Sequence, residues 1–431
     1  MKLLVVGAGG REHALAWCLA KNPGLQKIYV APGNAGSARE DEVENLALTD
    51  PEALADFAAR EKIHLTVIGP EAPLAAGIVN LFRARGLPVF GPTREAAQLE
   101  SSKEFAKQFM QRHAIPTAAF ASFTDAAAAH AWIDERGAPI VIKADGLAAG
   151  KGVVVARSLE EAHGAVDDML SGNKLGAAGA RVVIEEFLEG EEASFIVMVD
   201  GKNVLPLASS QDHKCLLDGD TGPNTGGMGA YSPAPVVTPE IHARVMREII
   251  LPTVRGMAAE GIPYTGFLYA GLMIGPDGGI RTLEFNCRMG DPETQPILMR
   301  LKSSLLELLE HALAGTLDQV EAQWDRRVAL GVVLAAPGYP EAPRTGDEIT
   351  GLPHAGNSFG EDAHVFHAGT ATTKSPAGNE RILTSGGRVL CVTALGENVR
   401  WAQKRAYEIA AQIHFPGLQY RKDIGHRALG R

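Results

Sequence analysis

The chain has 431 residues, 45% hydrophobic and 21% charged, with a formal net charge of −10. That length exceeds what one core usually fills, so two to four domains of an ordinary soluble protein are expected. The acidic balance argues against nucleic acid, and no apolar run reaches the ~18 residues of a membrane span. Four scattered cysteines without a C-x-x-C pair form neither a zinc knot nor a disulfide framework, so a cytoplasmic location is expected.

The opening MKLLVVGAGG reads as a buried strand entering a glycine turn rather than as a secretory leader. From 3 to about 95, apolar runs at Leu3–Val6, Ile28–Val30, Leu65–Ile68 and Val89–Phe90 alternate with helical stretches such as 11–21 and 51–61. Each run ends in a glycine- or proline-bearing turn: GAGG, APGNAG, GPEAPLAAG, GPT. This βαβα order predicts a Rossmann-like parallel sheet with ligand loops at the carboxyl ends of its strands. Helices are expected over 102–113 and 124–136, and strands over 139–143 and 152–156 around ADGLAAGK. Further strands are expected over 181–188, 192–201 and 203–210; FLYAGLMI (267–274) and IRTLEFN (280–286) flank GPDGG, a hairpin signal. Tight turns between strands predict antiparallel pairing. A helix is expected over 297–314, and 213–236 is the longest irregular stretch. The remainder, with RVALGVVLAAPGYP (327–340), HVFHAGTAT, RVLCVTALG (388–396) and a helix near 397–413, reads as a small α+β unit. The expected fold is multidomain α/β and α+β, divided at 1–102, 103–326 with a lid at about 122–192, and 327–431.

Several stretches carry chemistry as well as structure. GAGGREHA (7–14) has Gly7 and Gly9, but Glu12 stands where a dinucleotide fingerprint needs glycine, and no acidic residue follows the second strand. Either it is a plain tight turn, or its amides hold a phosphate or carboxylate with help from Arg11. KADGLAAGKG (143–152) sets two lysines around a glycine-rich hairpin. As a surface turn it would be unremarked, yet Lys143 ends the apolar run PIVI, where a lysine is costly unless it meets an anion. Its glycines let amides approach phosphates, and a lid over a triphosphate fits better than a P-loop. EEFLEGEEAS (185–194) is a solvated acidic loop or a hinge whose backbone reads an adenine edge while a carboxylate takes ribose hydroxyls. QDHK (211–214) and GPNTGGMGAYSP (222–233) look shaped around a ligand; His213 receives no catalytic role. In LEFNCRMGDPETQP (283–296), Glu284, Asn286 and Arg288 share one strand face and the apolar residues between them face a core. A solvated edge would do this by accident. Glu284 and Asn286 also suit a hard cation, and Arg288 a bidentate anion.

In this order the stretches resemble the ATP-grasp superfamily and, with GAGGREHA and GPEAPLAAG in front, the phosphoribosylamine–glycine ligase (glycinamide ribonucleotide synthetase) family. The resemblance implies a ligase of purine biosynthesis that joins glycine to 5-phosphoribosylamine through glycyl phosphate, using ATP and Mg²⁺ or Mn²⁺. By the match, Lys103, Lys143 and Lys151 meet ATP phosphates, Lys151 being also catalytic. Glu185, Glu186 and the Leu188 backbone hold adenine, and Glu192 the ribose. Glu284 and Asn286 are the metal ligands. Arg288 faces the glycine carboxyl as a catalytic group. Gly9, Gly10, Arg11, Asp212, Lys214, Asn224, Gly226, Gly227 and Asp291 line the substrate pocket. Two features depart from the family: AGLMI lacks the acid that many ATP-grasp enzymes carry before the metal strand, and Cys215 stands where a basic residue is expected. Small-molecule partners are expected, with no nucleic acid and no membrane, in a monomer or small homo-oligomer. The rivals are another purine-pathway ATP-grasp enzyme, a carboxylase or formate-using transferase, then a nucleotide-binding regulator without turnover. A dehydrogenase is disfavoured by the broken glycine fingerprint.

Overall fold

The computed structural model describes residues 1–148, 152–171 and 175–431. The first sheet is wholly parallel, in the order Val43–Asn45, Lys27–Pro32, Lys2–Gly7, Leu65–Ile68, Val89–Phe90. Leu3, Leu4 and Val5 are all at most 2% exposed, as a strand covered on both faces requires. The three-residue strand Val43–Asn45 lacks an apolar run and is not announced by the sequence.

Phe120–Phe123, Val182–Glu186, Ile140–Ala144 and Val153–Ala156 form an antiparallel lid sheet. It is backed by the helices Ala126–Arg136 and Leu159–Leu170 around a small apolar core of its own. The central sheet runs Val204–Pro206, Glu191–Asp200, Thr265–Ile274, Ile280–Asn286, again antiparallel. Its last pairing contains a bulge: Gly271 faces Glu284 while the adjacent Leu272 faces Thr282, so Leu283 is an extra residue. A regular strand would turn Ile280 and Phe285 to opposite sides. The bulge resets the alternation, so Ile280, Phe285 and Cys287 enter one apolar cluster while Glu284 and Asn286 face the site.

Three expectations need correction. The helix over 297–314 is two helices, Thr294–Arg300 and Leu305–Ala314; Leu301 leaves the first to bridge Trp324, and the Ser304 side chain caps the second. The strand over 203–210 shrinks to Val204–Pro206. The stretch 213–236 is not irregular: it holds a hairpin, Cys215–Leu217 with Thr221–Asn224, and the strand Gly229–Ser232. Gly229–Ser232 pairs with Val328–Ala335, in a sheet ordered Gln211–Asp212, Gly229–Ser232, Val328–Ala335, Arg388–Gly396, Ala363–His367. The helix Val399–Ala410 packs against this sheet. Two central segments thus complete the C-terminal sheet and draw the glycine-rich loop between them towards it.

Candidate active site

Glu284 sits among side chains of opposite charge. Burial would raise its carboxyl, but Lys214, Lys143, Lys103 and Arg288 outweigh it and bring the group down to about 2, so it is ionised at neutral pH. Asn286 is 8% exposed, and its amide makes only long contacts, Nδ2 to Glu284 Oε1 at 3.4 Å and Oδ1 from Arg288 at 3.3 Å. An ionised carboxylate beside a loosely held amide, two residues apart on one face, fits a hard divalent cation. Arg288 is clamped by two carboxylates, its Nε 3.2 Å from Glu71 and an NH2 nitrogen 2.8 Å from Glu100. Glu100 also accepts the Cys287 amide at 2.7 Å, which ties the arginine to the end of the N-terminal unit.

Next to the strand, Lys143 lies 3.0 Å and Lys107 3.2 Å from the two oxygens of Glu185, and all three residues are buried. Lys143 also donates to the Leu283 carbonyl that the bulge exposes, at 3.3 Å. Lys103 donates to Gly146 O at 2.9 Å, and burial lowers its pKa. Burial brings Lys107 down to about 8. Glu185 therefore spends its side chain on lysines, while Glu186 beyond it is exposed and Leu188 half-buried. Glu192 lies 3.0 Å from Lys214 Nζ, which joins a residue expected at the ribose to one expected at the amine substrate. Lys151 lies outside the described residues.

A cavity of about 400 Å³ opens between the N- and C-terminal units, lined by Gly9, Asn34, Asp291, Thr370, Ser385 and Arg388 among others. Gly9 and Asp291, both expected at the amine substrate, line this cavity, whereas Arg11 does not. Glu12 occupies the helix start, accepting Gly9 N at 2.7 Å and Arg11 Nε at 2.5 Å, while Arg11 also donates to Met289 O at 3.2 Å. The open positive charge at the cavity belongs to Arg388, which donates to the carbonyls of Gly226 (2.9 Å) and Asp291 (2.6 Å). Gly227 holds φ +123°, and a Cβ there would lie 2.5 Å from Pro292 Cδ, so only glycine lets the loop lie against this turn. Gly10 faces Gln295, and Asn224 is exposed on the hairpin next to Cys215.

Residues 1–100, 101–294 and 329–427 match the N, ATP-grasp (A) and C domains of phosphoribosylglycinamide synthetase. The phosphoribosylamine–glycine ligase of Ralstonia nicotianae is 67% identical, with 100% of each chain covered. That of Vibrio cholerae is 62% identical, covering 100% of this chain and 99% of its own. The chain belongs to the phosphoribosylamine–glycine ligase family. The crystal structure of the Thermotoga maritima phosphoribosylamine–glycine ligase superposes with a TM-score of 0.84 at 37% identity, over 98% of this chain and 100% of that one. A Campylobacter jejuni biotin carboxylase shares the fold at a TM-score of 0.74 and 16% identity, over 98% of this chain and 93% of that one.

Within the phosphoribosylamine–glycine ligase frame, an ATP-grasp domain uses ATP and a divalent cation, and several of the groups around that chemistry escape sequence reading. Lys107 had a readable signal, since it lies between Ala106 and Phe109 on the buried face of Lys103–Arg112. Glu71 and Glu293 lie in GPEAPLAAG and LEFNCRMGDPETQP but received no role there, and Glu100 and Arg388 had no signal, because the partners of all four are distant in sequence. Glu293 is buried beside Asp212, and burial followed by that neighbouring carboxyl raises its pKa. Among the described residues the one three-ligand group of metal-binding type is His13, Glu40 and His364. His13 Nδ1 accepts the His367 amide at 2.7 Å, so its Nε2 carries the proton and donates to Glu40 Oε1 at 2.7 Å. That nitrogen is a donor, and the group is a hydrogen-bonded clamp.

Proposed function

We propose that the chain joins glycine to 5-phosphoribosylamine with hydrolysis of ATP to ADP and phosphate, the reaction that gives glycinamide ribonucleotide in purine biosynthesis. A carboxylate is a poor electrophile. Transfer of the γ-phosphoryl group to a glycine carboxyl oxygen makes glycyl phosphate; the sugar amine then attacks the carbonyl carbon, and the C–O bond breaks with its electron pair leaving on phosphate. Such a transfer asks for positioning and charge neutralisation. Lys103 and Lys143 supply fixed charge for the phosphates, with Lys151 assigned to the same task on sequence grounds. The backbone of 185–188 takes the adenine and Glu192 the ribose. Glu284 and Asn286 would hold Mg²⁺ or Mn²⁺, which screens the phosphate charge. Arg288, oriented by Glu71 and Glu100, receives the glycine carboxyl. Asp212, Lys214, Asn224, Gly226, Gly227, Gly9, Gly10 and Asp291 shape the amine pocket, while Arg11 holds Glu12 in place.

The observation that carries this reading is continuity. The strand that carries Glu284 and Asn286 beside the lysines continues through Arg288 to Asp291, which lines the cavity; on this reading a phosphoryl donor and an amine meet at one carboxyl. The same reading takes the enzyme to be cytoplasmic and a monomer or small homo-oligomer. The test is ADP release with glycine and 5-phosphoribosylamine omitted in turn. Full turnover is expected only with both present; turnover with bicarbonate or formate in place of glycine favours a different ATP-grasp enzyme.

A further inference from the structure

Two lid helices, Ala126–Arg136 and Leu159–Leu170, repeat one pattern, a histidine followed four residues later by an aspartate: His130 with Asp134, and His163 with Asp167. Ala129, Ala162 and Ala165 are buried in the lid core, and such small residues let helices approach closely. Each histidine then reaches across to the other helix. His130 Nε2 lies 2.8 Å from Asp167 Oδ1, and His163 Nε2 lies 2.8 Å from Asp134 Oδ1. An ionised carboxylate only accepts, so both Nε2 atoms carry hydrogen and the Nδ1 atom of each neutral ring carries a lone pair. The two Nδ1 atoms face each other at 2.6 Å. Two lone pairs at that separation repel unless a positive centre lies between them. Carboxylate, then imidazole, then a free second nitrogen is also the order that fixes the tautomer of metal-ligating histidines.

We propose that His130 and His163 form a site for a borderline transition ion such as Zn²⁺, bound through both Nδ1 atoms, with Asp134 and Asp167 orienting the rings and water completing the shell. Imidazole suits this class of ion, whereas Mg²⁺ takes oxygen ligands. Zn–N bonds of about 2.0–2.1 Å in a tetrahedral shell need the nitrogens roughly 3.3 Å apart. The histidine side chains are 27% and 29% exposed, so small rotations towards solvent provide the opening. An ion held there ties the two helices together, on residues that the ligation does not use.

The test titrates the full-length protein with Zn²⁺ against a chromogenic chelator, with excess Mg²⁺ to fill the oxygen sites. The wild type is expected to bind one equivalent that His130→Gln and His163→Gln each lose, while turnover with Mg²⁺ stays at the wild-type rate and reports an intact fold. Asp134→Asn keeps an acceptor for the ring N–H but removes the charge, and is expected to weaken Zn²⁺ about tenfold. A wild type that takes up no Zn²⁺, or histidine variants that keep the equivalent, overturns the proposal and leaves the pair sharing a proton.

Discussion

Glu284 is where burial and charge disagree most productively. Its environment is desolvated, yet four cations keep it ionised; under the proposed function the cost of that arrangement is offset when a metal ion and phosphates bind. The Glu284→Gln variant keeps the shape and loses the charge. It is expected to lower kcat on the order of 100-fold, with partial recovery at raised Mg²⁺; near-normal turnover at ordinary metal levels removes the assignment. Glu293 shows the opposite sign. Burial and Asp212 raise its pKa above the usual 4.5. A carboxyl shifted this way gives its full stability below the unfolded value and loses it as pH rises through the raised one. Glu293→Gln removes that loss, so its melting temperature relative to wild type should climb between pH 5 and pH 9. A flat difference across that range counts against the shift.

The elements show why position on a strand mattered more than composition. The alternation in LEFNCRM is visible in the sequence, and the side chains do share a face; the bulge at Leu283, which lets Ile280 join Phe285 in one core, is a property of the pairing with Gly271 and Leu272. The lid hairpin was readable from the apolar runs on either side of its glycines. The glycine-rich loop was readable as special but not as a partner of the C-terminal sheet, because Gly229–Ser232 finds Val328–Ala335 about a hundred residues later. Arg388, at the start of its strand, fastens this loop to Asp291. Arg388→Ala should therefore raise KM for 5-phosphoribosylamine about tenfold or more while KM for ATP stays within about twofold. Steady-state kinetics with each substrate varied in turn checks this, and a larger effect on ATP would assign the arginine elsewhere.

Across the molecule, the N- and C-terminal units are joined by a buried polar clamp. Glu40 Oε1 accepts from His13 Nε2 (2.7 Å), His364 Nε2 (2.7 Å) and Asn357 Nδ2 (2.6 Å). Glu40→Ala leaves three donors unsatisfied and is expected to cost about 3 kcal/mol in chemical denaturation; a loss under ~0.5 kcal/mol would show the clamp to be solvated. His13 lies in GAGGREHA and His364 in HVFHAGTAT, but the sequence does not announce the clamp, since the partners lie far apart in the chain. The sequence alone determined what depends on local order: the parallel first sheet from its continuous apolar runs, the antiparallel hairpins from their turns, and the polar face of Glu284, Asn286 and Arg288 from a period of two. It also carried the family in an ordered series of short motifs. Only the tertiary structure decided which charges meet. It turned Arg11 onto Glu12, brought Arg388 to the cavity, set Lys107 beside Glu185, and locked Arg288 between Glu71 and Glu100. Apart from the neighbours Arg11 and Glu12, those pairings join segments far apart in the chain, and a residue's type says that it needs a partner without saying which fold contact will supply one.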